Sequence, residues 1–194
     1  MRHLGTVRLE SDRLILRRFT KDDANAMFKN YAADPEVTKY LSFEPHASVE
    51  VSEEVLNEWI SKYDNKDFYI WAIVLKENGD EPIGGISVVK QDDATEMVEI
   101  GYSIGRKWWH QGITSEALSM IVTFFFDEVS INRIEARHDP RNPHSGMVMA
   151  KCGMQYEGTL RDARINNQGR CDSAVYSILA KDMVHHLNNR RNCC

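Results

Sequence analysis

Three strand-like segments, separated by two short turns, constrain the fold of this chain more than any other feature of its sequence. A period of two is typical of residues 68–76, 83–91 and 96–104. The first turn, ENGDEP, has Asn-Gly at its centre, and the second turn is DDAT. Because turns this short join antiparallel neighbours, the sequence predicts an antiparallel meander here.

Helical segments precede and follow this meander. Thr20 is a suitable N-cap for a helix running to about residue 33, where Asp34-Pro35 ends it. Other helices are predicted over 49–63, over 114–129 and from Asn142, an N-cap, to a stop at Gly153. The remaining strands are predicted over 13–19, 133–139, 154–163 and 173–180. The order βααβββαβαββ predicts an α/β (α+β) fold, a mixed and mostly antiparallel sheet of about seven strands flanked by four helices.

Length and charge limit the classes of function. The 194 residues suit one domain, 1–194, with a core over about 9–183 and a short disordered C-terminal tail. With 24 Lys and Arg against 29 Asp and Glu, the net charge is −5, so no direct nucleic-acid partner is expected. No apolar run approaches the ~20 residues that span a bilayer, so no membrane partner is expected.

Cysteine usage and the N-terminus indicate the compartment. The first residues lack the apolar region of a signal peptide. The cysteines, Cys152, Cys171, Cys193 and Cys194, show no CxxC spacing, so neither a metal site nor a disulfide framework is expected. A cytoplasmic protein with reduced thiols follows from this usage. Whether the chain is a monomer or a homodimer stays open.

A single glycine stands where the third strand of the meander leads into the long helix. Gly112 allows close approach to the backbone, and a helix start presents unpaired N–H groups and a partial positive charge. Such a site suits a phosphate group bound by the amides of residues 111–115. The alternative is that Gly112 only completes a turn and Thr114 only caps the helix.

Four segments in this order resemble the Gcn5-related N-acetyltransferase (GNAT) family. The segment WHQGIT is similar to that family's acyl-CoA loop, Gln/Arg-x-x-Gly-x-Gly/Ala, with Trp109 and Thr114 departing from the pattern. The other three segments are DRLILRRFTKDDA, NPHSGMVMAKCGMQYEG and LRDARINNQGRCDSAVYSILAKD, and they resemble the branch of ribosomal-protein N-terminal acetyltransferases. The resemblance covers about residues 9–183.

This resemblance implies an acetyl-CoA-dependent enzyme that acetylates a primary amine, most simply a protein N-terminal α-amine. A small-molecule amine acetyltransferase and a non-catalytic acyl-CoA-binding module are the alternatives. The implied coenzyme A contacts are the backbone of Tyr102, Ser103 and Ile104, the loop Trp109, His110, Gln111, Gly112, Ile113, Thr114 and Ser115, and then Asn142, Ser145 and Lys151.

The chemistry requires a neutral amine nucleophile and therefore a general base. An α-amine has a pKa of about 7.7–8.0 and is easier to deprotonate than lysine, at about 10.4. Glu99 is the first candidate base and His138 the second; a solvent-facing strand carboxylate is the alternative for Glu99. Ser145 or Tyr176 is the candidate acid that protonates the departing thiolate.

Three further expectations concern neighbouring segments. Glu44 and His46 lie in a loop that resembles the family's acceptor-binding loop and are candidates for choosing the substrate. Some relatives place a basic carboxylate near the position of Arg164, so that assignment does not transfer. At least one of Trp108 and Trp109 is expected to anchor its turn to the core.

Overall fold

The computed structural model describes residues 1–183, and within them eight strands form one sheet in the order β1-β2-β3-β4-β5-β6-β8-β7. The strands are β1 (Leu9–Glu10), β2 (Leu14–Arg17), β3 (Ile70–Leu75), β4 (Pro82–Asp92), β5 (Met97–Ile104), β6 (Arg133–His138), β7 (Gln155–Asn166) and β8 (Gly169–Leu179). Strands β5 and β6 are parallel, and the other neighbours are antiparallel. The predicted mixed, mostly antiparallel sheet is therefore confirmed.

The helices cover both faces of this sheet. They are α1 (Ala24–Met27), α2 (Pro35–Thr38), α3 (Val49–Lys62), α4 (Ile113–Phe124) and α5 (Pro143–Lys151). A π-helical segment extends α1 (Phe28–Ala32), and another extends α4 (Phe125–Val129). Helix α4 and part of α5 pack on one face of the sheet, and α1 and α3 pack on the other face.

Alternation along the strands creates these two cores. In β3, Trp71 and Ile73 face the α4 side, while Ala72 and Val74 face the α1–α3 side, so every residue of β3 is buried. Val98 and Ile100 of β5 also face α4. Glu99, the residue between them, therefore points to the opposite face.

The structure corrects the element list at three places. Strand β1 is an eighth strand that the sequence did not predict, and it pairs Leu9 with Leu16. Helix α2 was also missed; Asp34 caps it by accepting a hydrogen bond from Glu36 N at 3.0 Å. The helix predicted to follow Thr20 is a 3-10 turn (Lys21–Asp23), α1 and a π-helical turn in succession.

Two further predictions concern the membrane and the C-terminus. None of the helices between residues 1 and 183 combines the length and apolar character needed to cross a bilayer. The predicted C-terminal tail, with Cys193 and Cys194, lies outside the described residues.

Candidate active site

A gap opens between β5 and β6 at the centre of the sheet. The two strands pair only from Met97 with Arg133 to Ile100 with Ala136. Beyond that point, β5 continues to Ile104 paired with β4, and β6 continues to His138 paired with β8. The separation leaves the β6-facing edge of residues 101–104 available to a ligand, which is where the sequence predicts backbone contacts from Tyr102, Ser103 and Ile104.

One of these backbone groups is already engaged. Trp109 Nε1 donates to the Ile104 carbonyl at 2.9 Å, which fixes the exposed Trp109 to the end of β5. Its neighbour Trp108 is buried and packs on Gly105, so the prediction that at least one tryptophan anchors this turn is confirmed.

The loop between β5 and α4 ends in a left-handed residue. Gly112 has φ 73° and is the N-cap of α4, which begins at Ile113 rather than at the predicted Thr114. Glu116 N donates to the Gly112 carbonyl at 3.0 Å, so the amides of Ile113, Thr114 and Ser115 precede the first bonded turn. Gly112 thus completes the turn, and the amides beside it have the placement that an anion site needs.

Two cationic side chains lie close to Gly112. A Cβ at position 112 would lie 3.4 Å from Lys151 Nζ and 4.0 Å from Arg13 Nη2. Lys151 was predicted from the sequence, whereas Arg13 was missed because nothing local connects the residue before β2 with a loop about a hundred residues later. Both cations suit a diphosphate group at this loop.

The acidic residue in the first turn of α4 is turned toward Arg13. Glu116 accepts hydrogen bonds from Arg13 Nε at 2.8 Å and from Ser11 Oγ at 2.6 Å. Burial opposes ionisation of this carboxyl, but the bonds from Ser11 and Arg13 lower its pKa below the usual value. The Glu116 charge is therefore compensated by a bonded partner at this helix start.

The start of α5 faces the same loop. The rings of His110 and His144 meet edge to face with centroids 4.7 Å apart. Asn142 precedes α5 as predicted, but its side chain makes no capping hydrogen bond within the described part of the chain. The Asn142 amide side chain is consequently not committed to the helix end.

A hydroxyl cluster lies between β5 and α5. Tyr102 donates its hydroxyl hydrogen bond to the Ser145 carbonyl at 2.9 Å, and its oxygen lies 3.1 Å from Ser145 Oγ. Burial raises the pKa of Tyr102 well above the usual phenol value. Ser145, one candidate acid, therefore stands beside the open part of β5.

His138 and Tyr176 complete this cluster. Nδ1 of His138 lies 2.9 Å from the Asp139 carbonyl, while the buried Nε2 has no hydrogen-bond partner among residues 1–183. A Cβ on Gly146 of α5 would lie 2.6 Å from His138 Nε2 and 3.3 Å from the Tyr176 hydroxyl. The structure thus brings Ser145, His138 and Tyr176 together beneath α5.

Glu99 lies on the opposite face of the sheet. Its side chain is 4% exposed, so the interpretation as a solvent-facing strand carboxylate is wrong. Oε1 accepts from Arg164 Nη2 at 2.5 Å, and Oε2 lies 3.5 Å from Arg137 Nε. An acceptor amine can reach Oε1 only after Arg164 moves.

Other predicted residues have structural roles. His46 is buried, its Nδ1 lies 2.8 Å from Ser52 Oγ, and burial lowers its pKa. Glu44, on the same loop, is exposed. Cys152 donates to the Ser115 carbonyl at 3.2 Å, and burial raises the pKa of its thiol, which agrees with a packing role.

Comparison with known proteins gives consistent matches. The family model described as an acetyltransferase (GNAT) domain matches residues 13–155. The uncharacterized N-acetyltransferase YoaA of Bacillus subtilis is 34% identical over 171 residues, which cover 88% of this chain and 96% of YoaA. The ribosomal protein uS5-alanine N-acetyltransferase of Escherichia coli is 38% identical over 63 residues, 32% of either chain. A crystal structure of an acetyltransferase (GNAT family) from Bacillus anthracis gives a TM-score of 0.78 at 26% identity and covers 90% of this chain and 99% of that one.

Proposed function

The chain belongs to the GNAT family and is an acetyl-CoA-dependent acetyltransferase, and we propose that its acceptor is the α-amine of a protein N-terminus. The main structural support for the binding site is the gap between β5 and β6, which leads to the amides at the start of α4. Acetyl-CoA, when bound, supplies the acetyl group as a thioester.

The residues at the gap fit this carrier. The left-handed Gly112 leaves open the space that a Cβ would occupy, and Lys151 and Arg13 border that space. The amides of Ile113, Thr114 and Ser115 would hold the diphosphate, and the open edge of Tyr102 and Ser103 would hold the pantetheine arm. We expect Asn142, His110 and Gln111 to add further contacts, since His110 and Gln111 precede Gly112 in the same loop and Asn142 precedes α5.

Two observations support an α-amine as acceptor. An α-amine, with a pKa of about 7.7–8.0, reaches its neutral nucleophilic form more readily than lysine at neutral pH. The region of similarity to ribosomal protein uS5-alanine N-acetyltransferase supports the same chemistry, since that protein's name specifies an alanine of a ribosomal protein, and alanine has no side-chain amine. A small amine remains the competing acceptor in the experiment below.

The two faces of the sheet suit two different proton transfers. Glu99, on the α1–α3 face, would accept the proton of the amine after Arg164 withdraws. Ser145, on the α5 face beside Tyr102, would donate a proton to the departing thiolate. His138 and Tyr176 are the second candidates for these roles, and both lie on the α5 face.

The test measures thiol release from acetyl-CoA with free N-terminal peptides, with the same peptides blocked at the α-amine and with small primary amines. We expect turnover with the free peptides only, and mass spectrometry should locate the acetyl group on the α-nitrogen. Turnover confined to the small amines, or to lysine side chains of the blocked peptides, would reject the proposed acceptor.

A further inference from the structure

Six alternating charges form a continuous chain on the face of the sheet that carries Glu99. We call this set the charge ladder; it consists of Glu157, Arg133, Glu135, Arg137, Glu99 and Arg164. Arg133 Nη1 bonds Glu157 at 2.9 Å, Arg133 Nε bonds Glu135 at 2.9 Å, and Arg137 Nη2 bonds Glu135 at 3.1 Å. Its charges sum to zero, because three arginines oppose three glutamates.

The inner end of the charge ladder lies at the mouth of the β5–β6 gap. Glu99 and Arg137 lie at the point where the two strands stop pairing. Among the described residues, Glu99 Oε2 and Arg137 Nε are buried without a hydrogen-bond partner, although only 3.5 Å separates them. Buried polar atoms left this way mark a place where a ligand group can complete the bonding.

Arg164 is the exposed member at this end. Its side chain is 44% exposed, whereas that of Glu99 is 4% exposed. Arg164 follows an irregular part of β7, because Leu160 pairs with Ser173 and the next pair is Arg164 with Cys171. Within this irregularity Asp162 has φ 51°, a left-handed conformation. Because the contact with Glu99 is made by the Arg164 side chain, Arg164 can leave Glu99 while its backbone stays paired with Cys171.

Charge balance limits what can replace Arg164 at Glu99. An α-amine arrives largely protonated at neutral pH because its pKa is about 7.7–8.0. Its ammonium group would take the position of the Arg164 guanidinium on Glu99, which adds one positive charge to a balanced cluster. Two guanidinium groups, on Arg137 and Arg164, would then face the acceptor with a single carboxylate between them.

We propose that the acceptor carries a carboxylate next to its reactive amine, and that Arg164 leaves Glu99 to bind this carboxylate. The inference rests on the proposed function and adds the chemical class of the acceptor. Arg164 starts in direct contact with Glu99, so a small movement of its side chain keeps its guanidinium close to this carboxylate. The amine and the carboxylate of the acceptor should therefore be separated by roughly the length of one residue. An acidic residue at the first or second position of an N-terminal peptide has this arrangement. A free amino acid offers the same two groups but lies outside the proposed function, so it serves as the comparison.

The experiment compares acceptors that differ only in this charge. One pair is an N-terminal peptide with Asp at its second position and the same peptide with Asn there; a second pair is an amino acid and its amide. Each is assayed for kcat/KM by thiol release, and its binding is measured by calorimetry with coenzyme A present. We expect the acidic member of the peptide pair to be favoured by about tenfold or more, the range of a hydrogen bond to a charged group. The peptide pair and the amino-acid pair identify which source of the carboxylate is used.

Variants of two arginines make the test specific. In Arg164→Gln the preference should fall to about one, and Arg164→Lys should restore part of it. Arg170→Gln, on the exposed start of β8, is the matched control and should keep the full preference. Equal binding of both members of each pair by the unaltered protein, or a preference that survives in Arg164→Gln, overturns the proposal.

This failure is distinguishable from failure of the proposed function. If no peptide is acetylated but small amines are, the proposed acceptor is wrong, whereas the calorimetric preference for a carboxylate still decides the role of Arg164. If peptides are acetylated at the α-amine without regard to charge, the proposed function stands and the carboxylate inference falls.

Discussion

At residue 112 the backbone conformation and the expected chemistry depend on the same atom, the missing Cβ. A left-handed φ of 73° strains any residue with a side chain, and a side chain there would enter the space between Lys151 and Arg13. The sequence could suggest a phosphate site because a lone glycine before a helix is visible in it. Only one of the two cations, Lys151, could be predicted, because Arg13 stands just before β2 and reaches the loop only through the fold.

Gly112→Ala should raise the KM for acetyl-CoA about tenfold or more, since the amides that would hold the diphosphate shift with the strained loop. Steady-state kinetics with varied acetyl-CoA measure this. The matched control is Gly169→Ala, which has φ 88° and meets no described atom within 4 Å, so it carries the same strain far from the site. An equal rise in KM in both variants would remove Gly112 from the binding role.

Glu99→Gln should lower kcat by about a hundredfold or more, the range of general-base catalysis, while the KM for acetyl-CoA stays near its starting value. The amide keeps the shape of the side chain and can still accept from Arg164. His138→Gln is the competing variant, and it should have the smaller effect on kcat. If His138→Gln causes the larger loss, the proton is taken on the α5 face instead.

Asp139 should contribute to stability in a pH-dependent way. Arg141 bonds this buried carboxylate and, with help from Asn166, lowers its pKa to about 2. Because the folded pKa lies below the unfolded value of about 3.9, the contribution is complete above that value and is lost as the pH falls toward about 2.

The measurement is the free energy of unfolding in urea at pH 7 and near pH 2. Asp139→Asn should cost about 1–3 kcal/mol at pH 7, and the difference from the unaltered protein should shrink at the lower pH. Asp64→Asn, at an exposed position, should change neither value. A loss that stays constant with pH would mean that the charge of Asp139 does not matter.

At the scale of elements, the helices and strands that the sequence predicted are those that a local sequence pattern can encode. The meander, helices α3, α4 and α5 and the closing pair of strands follow from periodicity, turn residues and caps. Strand β1 has two residues and α2 has four, too few to show a period. The π-helical turns after α1 and α4 also leave no pattern, because they insert one residue into an otherwise helical sequence.

Two adjacent glycines in β4 test how the open part of β5 is held. A Cβ on Gly84 would lie 2.3 Å from the Ser103 carbonyl oxygen, whereas a Cβ on Gly85 would meet nothing nearer than 3.5 Å. Gly84→Ala should therefore push β4 away from Ser103 and Ile104 and cost about 1–3 kcal/mol of stability, with a higher KM for acetyl-CoA.

Gly85→Ala is the control on the next residue, and its contacts there are ordinary van der Waals distances. Thermal unfolding and acetyl-CoA kinetics on both variants give the comparison. Similar stability of the two variants would mean that β4 and β5 adjust to a side chain at position 84 without strain.

At the scale of the whole molecule, the turn between β7 and β8 is bonded to α2 and to the loop that follows it, although the two segments are more than 120 residues apart in the chain. Asn167, in the turn between β7 and β8, donates through Nδ2 to the carbonyls of Thr38 at 2.9 Å and Phe43 at 2.7 Å. Its backbone N–H donates to the Leu41 carbonyl at 3.2 Å. These bonds join the loop that carries Glu44 to the strand pair that carries Arg164.

Asn167→Ala should raise the KM for the acceptor several-fold and leave the KM for acetyl-CoA unchanged, since only the acceptor loop loses its support. Each lost hydrogen bond is worth about 0.5–1.5 kcal/mol. Gln168→Ala on the neighbouring residue, whose side chain donates to the Asn167 carbonyl at 3.3 Å and, among residues 1–183, to no other group, is the control. Equal effects on both substrates would show that the turn supports the whole sheet rather than the loop.

The sequence pattern alone could not predict which strands pair across long separations in the chain. The local signals identify strands but not that β5 and β6 run parallel, nor that they part after Ile100. Likewise, Glu99 was recognisable as a carboxylate on a strand, while its partners on β6 and β7 are 38 and 65 residues away. Burial and charge pairing at the site are consequences of topology.

The position of β8 between β6 and β7 has a consequence for synthesis on the ribosome. This strand is the last of the eight in the chain, yet it lies inside the sheet. Until it emerges, β6 is bonded only along its short contact with β5, and β7 has no neighbour to pair with. At roughly 5–20 residues per second, a nascent chain spends on the order of seconds with these edges exposed. Protection by a chaperone during that interval would matter most for this half of the molecule.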